Sequence, residues 1–215
     1  MPNQTKPYAM IRLILALLAL LPIEKVFSEA FHPSQQVIKH ISETLQQKLQ
    51  AKVFTQDFVR VTCFVNDVIE PHTDFDKIAP LVLGKHWKTA TPKEKERFKK
   101  EFQTLLIRAY SRAFVEYSDW TIQYLTHEVA KDAAKVLVKT TVLQRSLQPV
   151  EVNYRMFLVN GEWKTYDILI DGVSLVTNYR STFNDKINKS GSLTAVIDDL
   201  AIRNADALKG KHREY

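Results

Sequence analysis

Apolar positions change their period along this chain, and the change divides it into helices, strands and helices again. Val37, Ile38, Ile41, Leu45 and Leu49 mark one amphipathic helical stripe, and Phe58, Val61, Val65 and Val68 mark a second. Thr73-Asp74-Phe75-Asp76 starts a shorter helix through Ile78, Ala79 and Val82, which Gly84 is placed to end. Thr91, Pro92 and Glu94 form a strong start signal: an N-cap, a proline at the first helical position and the acidic partner of a capping box. The helix that follows carries a broad oily stripe of Phe98, Phe102, Leu105, Leu106, Ala109, Tyr110, Ala113, Phe114 and Tyr117. Glu96, Arg97, Lys99, Lys100 and Glu101 cover its other side.

The period then drops to two. Four β-rich segments, Trp120–Val129, Ala134–Leu143, Val150–Val159 and Glu162–Ile170, follow one another with short connections, as an antiparallel meander does. In the third, Glu151, Asn153 and Arg155 alternate with Val150, Val152, Tyr154, Met156 and Leu158, giving one wet and one oily face. Asn160-Gly161 supplies the two positive-φ residues of a type I′ hairpin. The fourth segment ends at Asp171-Gly172, after which Ser174 caps a helix running to about Asn188. Gly191 separates it from a last helix, Ser192 to about Ala207. The expected fold is α+β in one domain: a curved antiparallel four-stranded sheet packed against helices.

Lys6 and Arg12 precede an uninterrupted apolar run, Leu13–Leu21, broken by Pro22. Val26-Phe27-Ser28 then fits a signal peptidase site, so residues 1–28 are expected to be a cleaved signal peptide and residues 29–215 the exported domain. The run is too short to span a bilayer, whose apolar core is roughly 30 Å thick. The full chain has a formal charge of +6. Part of that surplus sits in the tail, Lys209–Arg213, expected to be a solvated end. Interleaved aromatic and basic residues of a nucleic-acid surface are not evident. Cys63, the single cysteine, excludes an intramolecular disulfide. Its place between Val61 and Val65 predicts a buried, inert thiol.

Reactive constellations are absent from the sequence. Its five glycines make neither a dinucleotide fingerprint nor a P-loop, and its six histidines show no metal-ligand spacing. Gly172-Val173-Ser174 lacks the second glycine of a nucleophile elbow, because Val176 stands there. Asp167 and Asp171 would serve as an acid/base pair only if both were free; a structural hydrogen bond to Asp167 is the expectation. No catalytic residue, cofactor or metal is expected, and the chain does not read as an enzyme.

Three strings carry a family resemblance: VLGKHW (82–87), ERFKKEFQTLLIRAYSRAF (96–114) and WKTYDILIDGVSLVTNYRSTF (163–183). Together with the order of elements, they make the chain similar to the MlaC family of periplasmic phospholipid carriers, also called toluene-tolerance auxiliary proteins. The resemblance implies a cystatin/NTF2-like fold with an internal apolar cavity that takes phospholipid tails. It also implies a periplasmic location and a task, shuttling glycerophospholipids so that outer-membrane lipid asymmetry is kept. The implied partners are phospholipid, an inner-membrane ABC transporter complex with an MCE domain, and an outer-membrane lipoprotein–porin complex. The lining is then expected from the oily faces. On the strands these are Val136, Val138, Val152, Tyr154, Met156, Leu158, Tyr166, Ile168 and Ile170. On the helices they are Leu106, Tyr110, Phe114, Val173, Val176 and Tyr179. Trp163 and Leu169 leave the phase of the last strand ambiguous. Arg180 is expected to brace Asp171 or to stand near the headgroup. Two other readings stay open: an NTF2-like isomerase or hydratase using Asp167 with Tyr154, and a non-lipid adaptor of an envelope transporter.

Overall fold

The structure is a computed structural model and describes residues 31–116, 119–125, 129–130, 133–145 and 147–209. The proposed signal peptide, part of the first expected strand and nearly all of the basic tail lie outside these residues.

The chain runs α1 (Pro33–Leu49), α2 (Lys52–Thr55), α3 (Phe58–Ile69), a 3-10 turn (Glu70–His72), α4 (Phe75–Leu83), α5 (Lys85–Thr89) and α6 (Pro92–Glu116). The strands β1 (Thr121–Tyr124), β2 (Lys135–Leu143), β3 (Val150–Val159), β4 (Glu162–Ile170) and β5 (Val173–Ser174) follow. Helices α7 (Leu175–Ser190) and α8 (Leu193–Leu208) close the described chain. This is the expected α+β architecture, with an antiparallel open sheet in the order β1-β2-β3-β4-β5.

Helix starts are fixed by polar side chains that take up otherwise unbonded N–H groups. Asp57 accepts from Arg60 N at 3.0 Å, and Asp74 from Lys77 N at 2.7 Å. Glu94 returns the bond of Thr91 at 2.9 Å, closing the capping box of α6. Ser174 and Ser192 cap α7 and α8 through Thr177 N and Ala195 N. Gly191 ends α7 with a left-handed φ of 69°.

The sheet has one strand more than the alternation predicts. Asn160 and Gly161 turn with φ of 51° and 83°, and Asp171 and Gly172 do the same with 46° and 80°. The second pair is thus another tight hairpin, and it lays Val173 and Ser174 against Ile170 and Leu169. Two residues are too short a run for a period of two to register. The turns α2 and α5 are short in the same way. Cys63 corrects a second expectation: it is exposed. The buried stripe of α3 is Val61, Thr62 and Val65, and a residue two positions from Val61 projects from the opposite side of a helix.

The core comes as three clusters. The first joins α4, α6, α7 and α8 through Phe75, Val82, Phe98, Phe102, Phe183 and Ile197, among others. Phe98 stacks on Phe102 at 5.6 Å, and Phe183 meets both rings edge-on at 5.0 and 5.8 Å. The second brings Leu45, Leu49, Val61, Val65 and Ile107 against Trp120, with Phe114, Ile122 and Val142 beside them. The third packs Ile38 of α1 on Val138, Met156 and Trp163 of the sheet. Helix α1 is also tied to the outer edge of β1. Gln35 donates to Leu125 O at 3.2 Å, Gln46 donates to Trp120 O, and the Trp120 indole donates to Ser42 at 3.3 Å.

Candidate functional site: an apolar sheet face between three clusters

Register assigns each strand residue to a face. Val136 pairs with Met156, Val138 with Tyr154, Thr140 with Val152 and Val142 with Val150. Tyr154 pairs in turn with Ile168, and Val152 with Ile170. Eight of the expected lining residues therefore share one face: Val136, Val138, Val152, Tyr154, Met156, Leu158, Ile168 and Ile170. Helix α1 covers one end of this face through Ile38.

A β-bulge resolves the ambiguous phase of β4. Arg155 pairs with Asp167 but Met156 pairs with Thr165, so Tyr166 is the extra residue. The slip carries Trp163 and Thr165 onto the oily face, beside Met156. It also corrects Tyr166, which turns to the opposite face. There its ring lies 5.6 Å from Phe157, under the ammonium of Lys77, and packs on the helical cluster.

Other expected lining residues differ in placement. Val138 and Met156 have 0% exposure, so they back the face rather than open onto any space. Leu158 at 41% and Val173 at 59% lie on the surface, one near a strand end and one on β5. Val176 is buried in the helical cluster, with Leu106 and Tyr179 at its margin. Phe114 borders the second cluster. Val152, Ile168, Ile170 and Tyr110 are half-buried and stand outside all three clusters. Leu106, Tyr110 and Phe114 follow at intervals of four on α6, a single helical stripe that links the first cluster to the second.

Burial perturbs three of the tyrosines electrostatically. Desolvation pushes the Tyr154 phenol up to about 12, although a hydrogen bond with Thr140 pulls the other way. Desolvation also raises Tyr110 strongly, with Tyr179 adding to the rise, and raises Tyr124. All three are neutral donors at physiological pH.

Asp167 has the structural role that the sequence suggests. It is buried and accepts from Arg155 Nη1 at 2.9 Å, Ser174 Oγ at 2.7 Å and Val176 N at 3.1 Å. The carboxylate thereby pins the start of α7 to the sheet. It pairs across from Arg155, whereas Tyr154 points to the other face, so the Asp167–Tyr154 pair needed for an enzymatic reading does not form. Asp171 accepts from Glu151 N at 3.0 Å. Arg180 does not brace Asp171: its Nε donates to Leu81 O at 2.5 Å, and its stem lies against Gly84. The bulge and the second hairpin are features that sequence reasoning missed, and it expected a hydrogen bond to Asp167 without its partners Arg155 and Ser174. The Asp-Gly pair was the signal available for the hairpin.

An open surface depression of about 480 Å³ lies at the far end of β1 and β2, lined by Asp119, Thr121, Leu143, Gln144 and Arg145. Thr121 and Leu143 project opposite to Ile122 and Val142, so this hollow is separate from the apolar face. Among the described residues, no group of three or more His, Cys, Asp and Glu side chains is arranged to hold a metal ion. No described helix is long and apolar enough to cross a membrane.

The architecture is an open antiparallel sheet with one apolar face, packed against helices. The solved phospholipid-binding protein of Ralstonia solanacearum, in complex with a phospholipid, has this fold. It superposes with a TM-score of 0.74 at 28% identity, covering 81% of this chain and 98% of that one. The toluene tolerance protein ttg2D of Pseudomonas putida is 29% identical over 143 residues, 64% of each chain. The present chain therefore spans slightly less than two thirds of that relative's length. The intermembrane phospholipid transport system binding protein MlaC of Haemophilus influenzae is 26% identical over 153 residues, 70% of this chain and 71% of that one. The MlaC protein family profile matches residues 35–201, and the chain belongs to that family.

Proposed function

We propose that this protein is a periplasmic carrier of glycerophospholipids and not an enzyme. The observation that carries the reading is the row Val152, Ile168 and Ile170, half-buried on one sheet face and outside the packed clusters, in a chain that shares its fold with a phospholipid-bound protein. The acyl tails lie between this row and the Leu106–Tyr110–Phe114 stripe of α6, in the internal apolar cavity implied by the family. The headgroup faces outward.

The physics of the task fits a site without reactive groups. Each buried methylene is worth about 0.8 kcal/mol, so roughly thirty of them hold a diacyl lipid in a bilayer by on the order of 20 kcal/mol. A carrier offering a comparable lining makes transfer nearly isoenergetic, and a partner supplies direction. In this reading residues 1–28 are removed on export and residues 29–215 act in the periplasm. The partners are an inner-membrane ABC transporter complex with an MCE domain and an outer-membrane lipoprotein–porin complex. Native mass spectrometry of the protein purified from an envelope fraction is the test. A co-purifying phospholipid, released under denaturing conditions, supports the proposal; a ligand-free mass under lipid-preserving conditions refutes it.

A further inference from the structure

Tyr110 is half-buried on the apolar stripe of α6, yet among the described residues no group hydrogen-bonds its hydroxyl. Nor is that oxygen enclosed on every side. A half-buried phenol without a protein partner is a donor facing whatever occupies the neighbouring space. Around it the elements are apolar: Leu106 one turn before it and Phe114 one turn after it on α6. On α7, Tyr179 packs edge-on against Phe102 at 5.2 Å and lies close enough to perturb the Tyr110 phenol.

We propose that the Tyr110 hydroxyl, beside Tyr179, forms a subsite that hydrogen-bonds an ester carbonyl oxygen of a bound glycerophospholipid. The proposal rests on the carrier reading and adds a point of chemical recognition to it. A neutral donor in apolar surroundings suits a neutral acceptor. A phosphate brought to the same depth would lose its hydration with no cation on this stripe to compensate. The ester carbonyls stand where the tails join the polar part of the lipid, so the subsite would set how far the tails insert. Two other half-buried tyrosines fit the role less well. Tyr154 already has Thr140 as partner. Tyr124 stacks edge-on against Phe31 at 5.0 Å, with the Glu43 carboxylate nearby to repel a lipid oxygen.

The experiment loads wild type and Tyr110→Phe with dipalmitoyl phosphatidylethanolamine or with its dihexadecyl ether analogue, which lacks both ester carbonyls. Retained lipid is measured by native mass spectrometry. One neutral hydrogen bond predicts that wild type retains the diester about fivefold better than the diether. Tyr110→Phe should abolish that preference, so that it retains the diester no better than the diether. Its melting midpoint should be unchanged, because the hydroxyl has no protein partner to lose. A wild type indifferent to the ester, or a Tyr110→Phe variant that keeps the preference, overturns the subsite and leaves the carrier reading intact. A wild type that retains neither lipid overturns the carrier reading itself.

Discussion

Two parts of this molecule handle apolar surface in opposite ways. In the helical cluster of α4, α6, α7 and α8, Phe98, Phe102, Phe183 and Ile197 close on one another with almost no exposure. On the sheet face, Val152, Ile168 and Ile170 are equally apolar but only half-buried, and they join none of the clusters. The first arrangement is what stability requires, since interiors are close-packed. The second forgoes some of that stabilisation and keeps a surface available. Helix α6 serves both. Its first half supplies Phe98 and Phe102 to the helical cluster, and its second half presents Tyr110 outside the clusters.

Truncation separates the two regions most sharply. Phe102→Ala should destabilise the protein by about 3–5 kcal/mol, because it empties a sealed site. Ile168→Ala should cost about 1 kcal/mol or less, having little packing to lose, while lowering lipid retention. Equilibrium unfolding in urea measures both. Equal losses would mean that the sheet face is as tightly packed as the helical cluster.

The clasp between the regions ranks next. Asp167→Ala leaves Ser174 Oγ and Val176 N without their acceptor, and an unsatisfied buried donor costs about 1–3 kcal/mol. Hydrogen exchange should show the first turn of α7 losing protection before α6 and α8 do. A uniform loss across the fold would contradict a local clasp.

The smallest effect is a pH dependence in the helical region. The Glu94 carboxyl is held below its usual value, first by the Thr91 backbone N–H and then by the Thr194 and Thr91 hydroxyls. A lowered folded value means that the unfolded chain binds the proton more readily. The stabilisation is therefore complete above the ordinary carboxylate range and fades as pH falls through the lowered value. Glu94→Gln, which removes the titrating carboxyl, should flatten this acid limb in melting curves taken from neutral pH downward.

The two regions also differed in how far their sequence could be read. Helix stripes and caps such as Thr91-Pro92-Lys93-Glu94 are local signals, and the structure places them where the spacing puts them. The Asn160-Gly161 hairpin was equally plain, and so was the shared face of Val152 and Tyr154. The bulge at Tyr166 was hidden because one inserted residue swaps the two faces of β4 without changing its composition. Asp167 showed its environment only through partners on β3, β5 and α7, which no local pattern brings together. The oily faces were therefore legible, but which of their members seal and which stay open depends on tertiary packing. Val138 and Ile168 illustrate this: both sit on the same face at alternating positions, yet the first is fully enclosed and the second is not.

The central claim is that hydrocarbon tails occupy the space beside the Val152–Ile168–Ile170 row. A phospholipid carrying a photoactivatable diazirine within one acyl chain tests it directly, with adducts located by peptide mass spectrometry. The account predicts adducts on β3, β4 and the second half of α6, at or beside Val152, Ile168, Ile170, Leu106 and Tyr110. Adducts confined to surface residues such as Val53 and Ile202, or none above a lipid-free control, would contradict it.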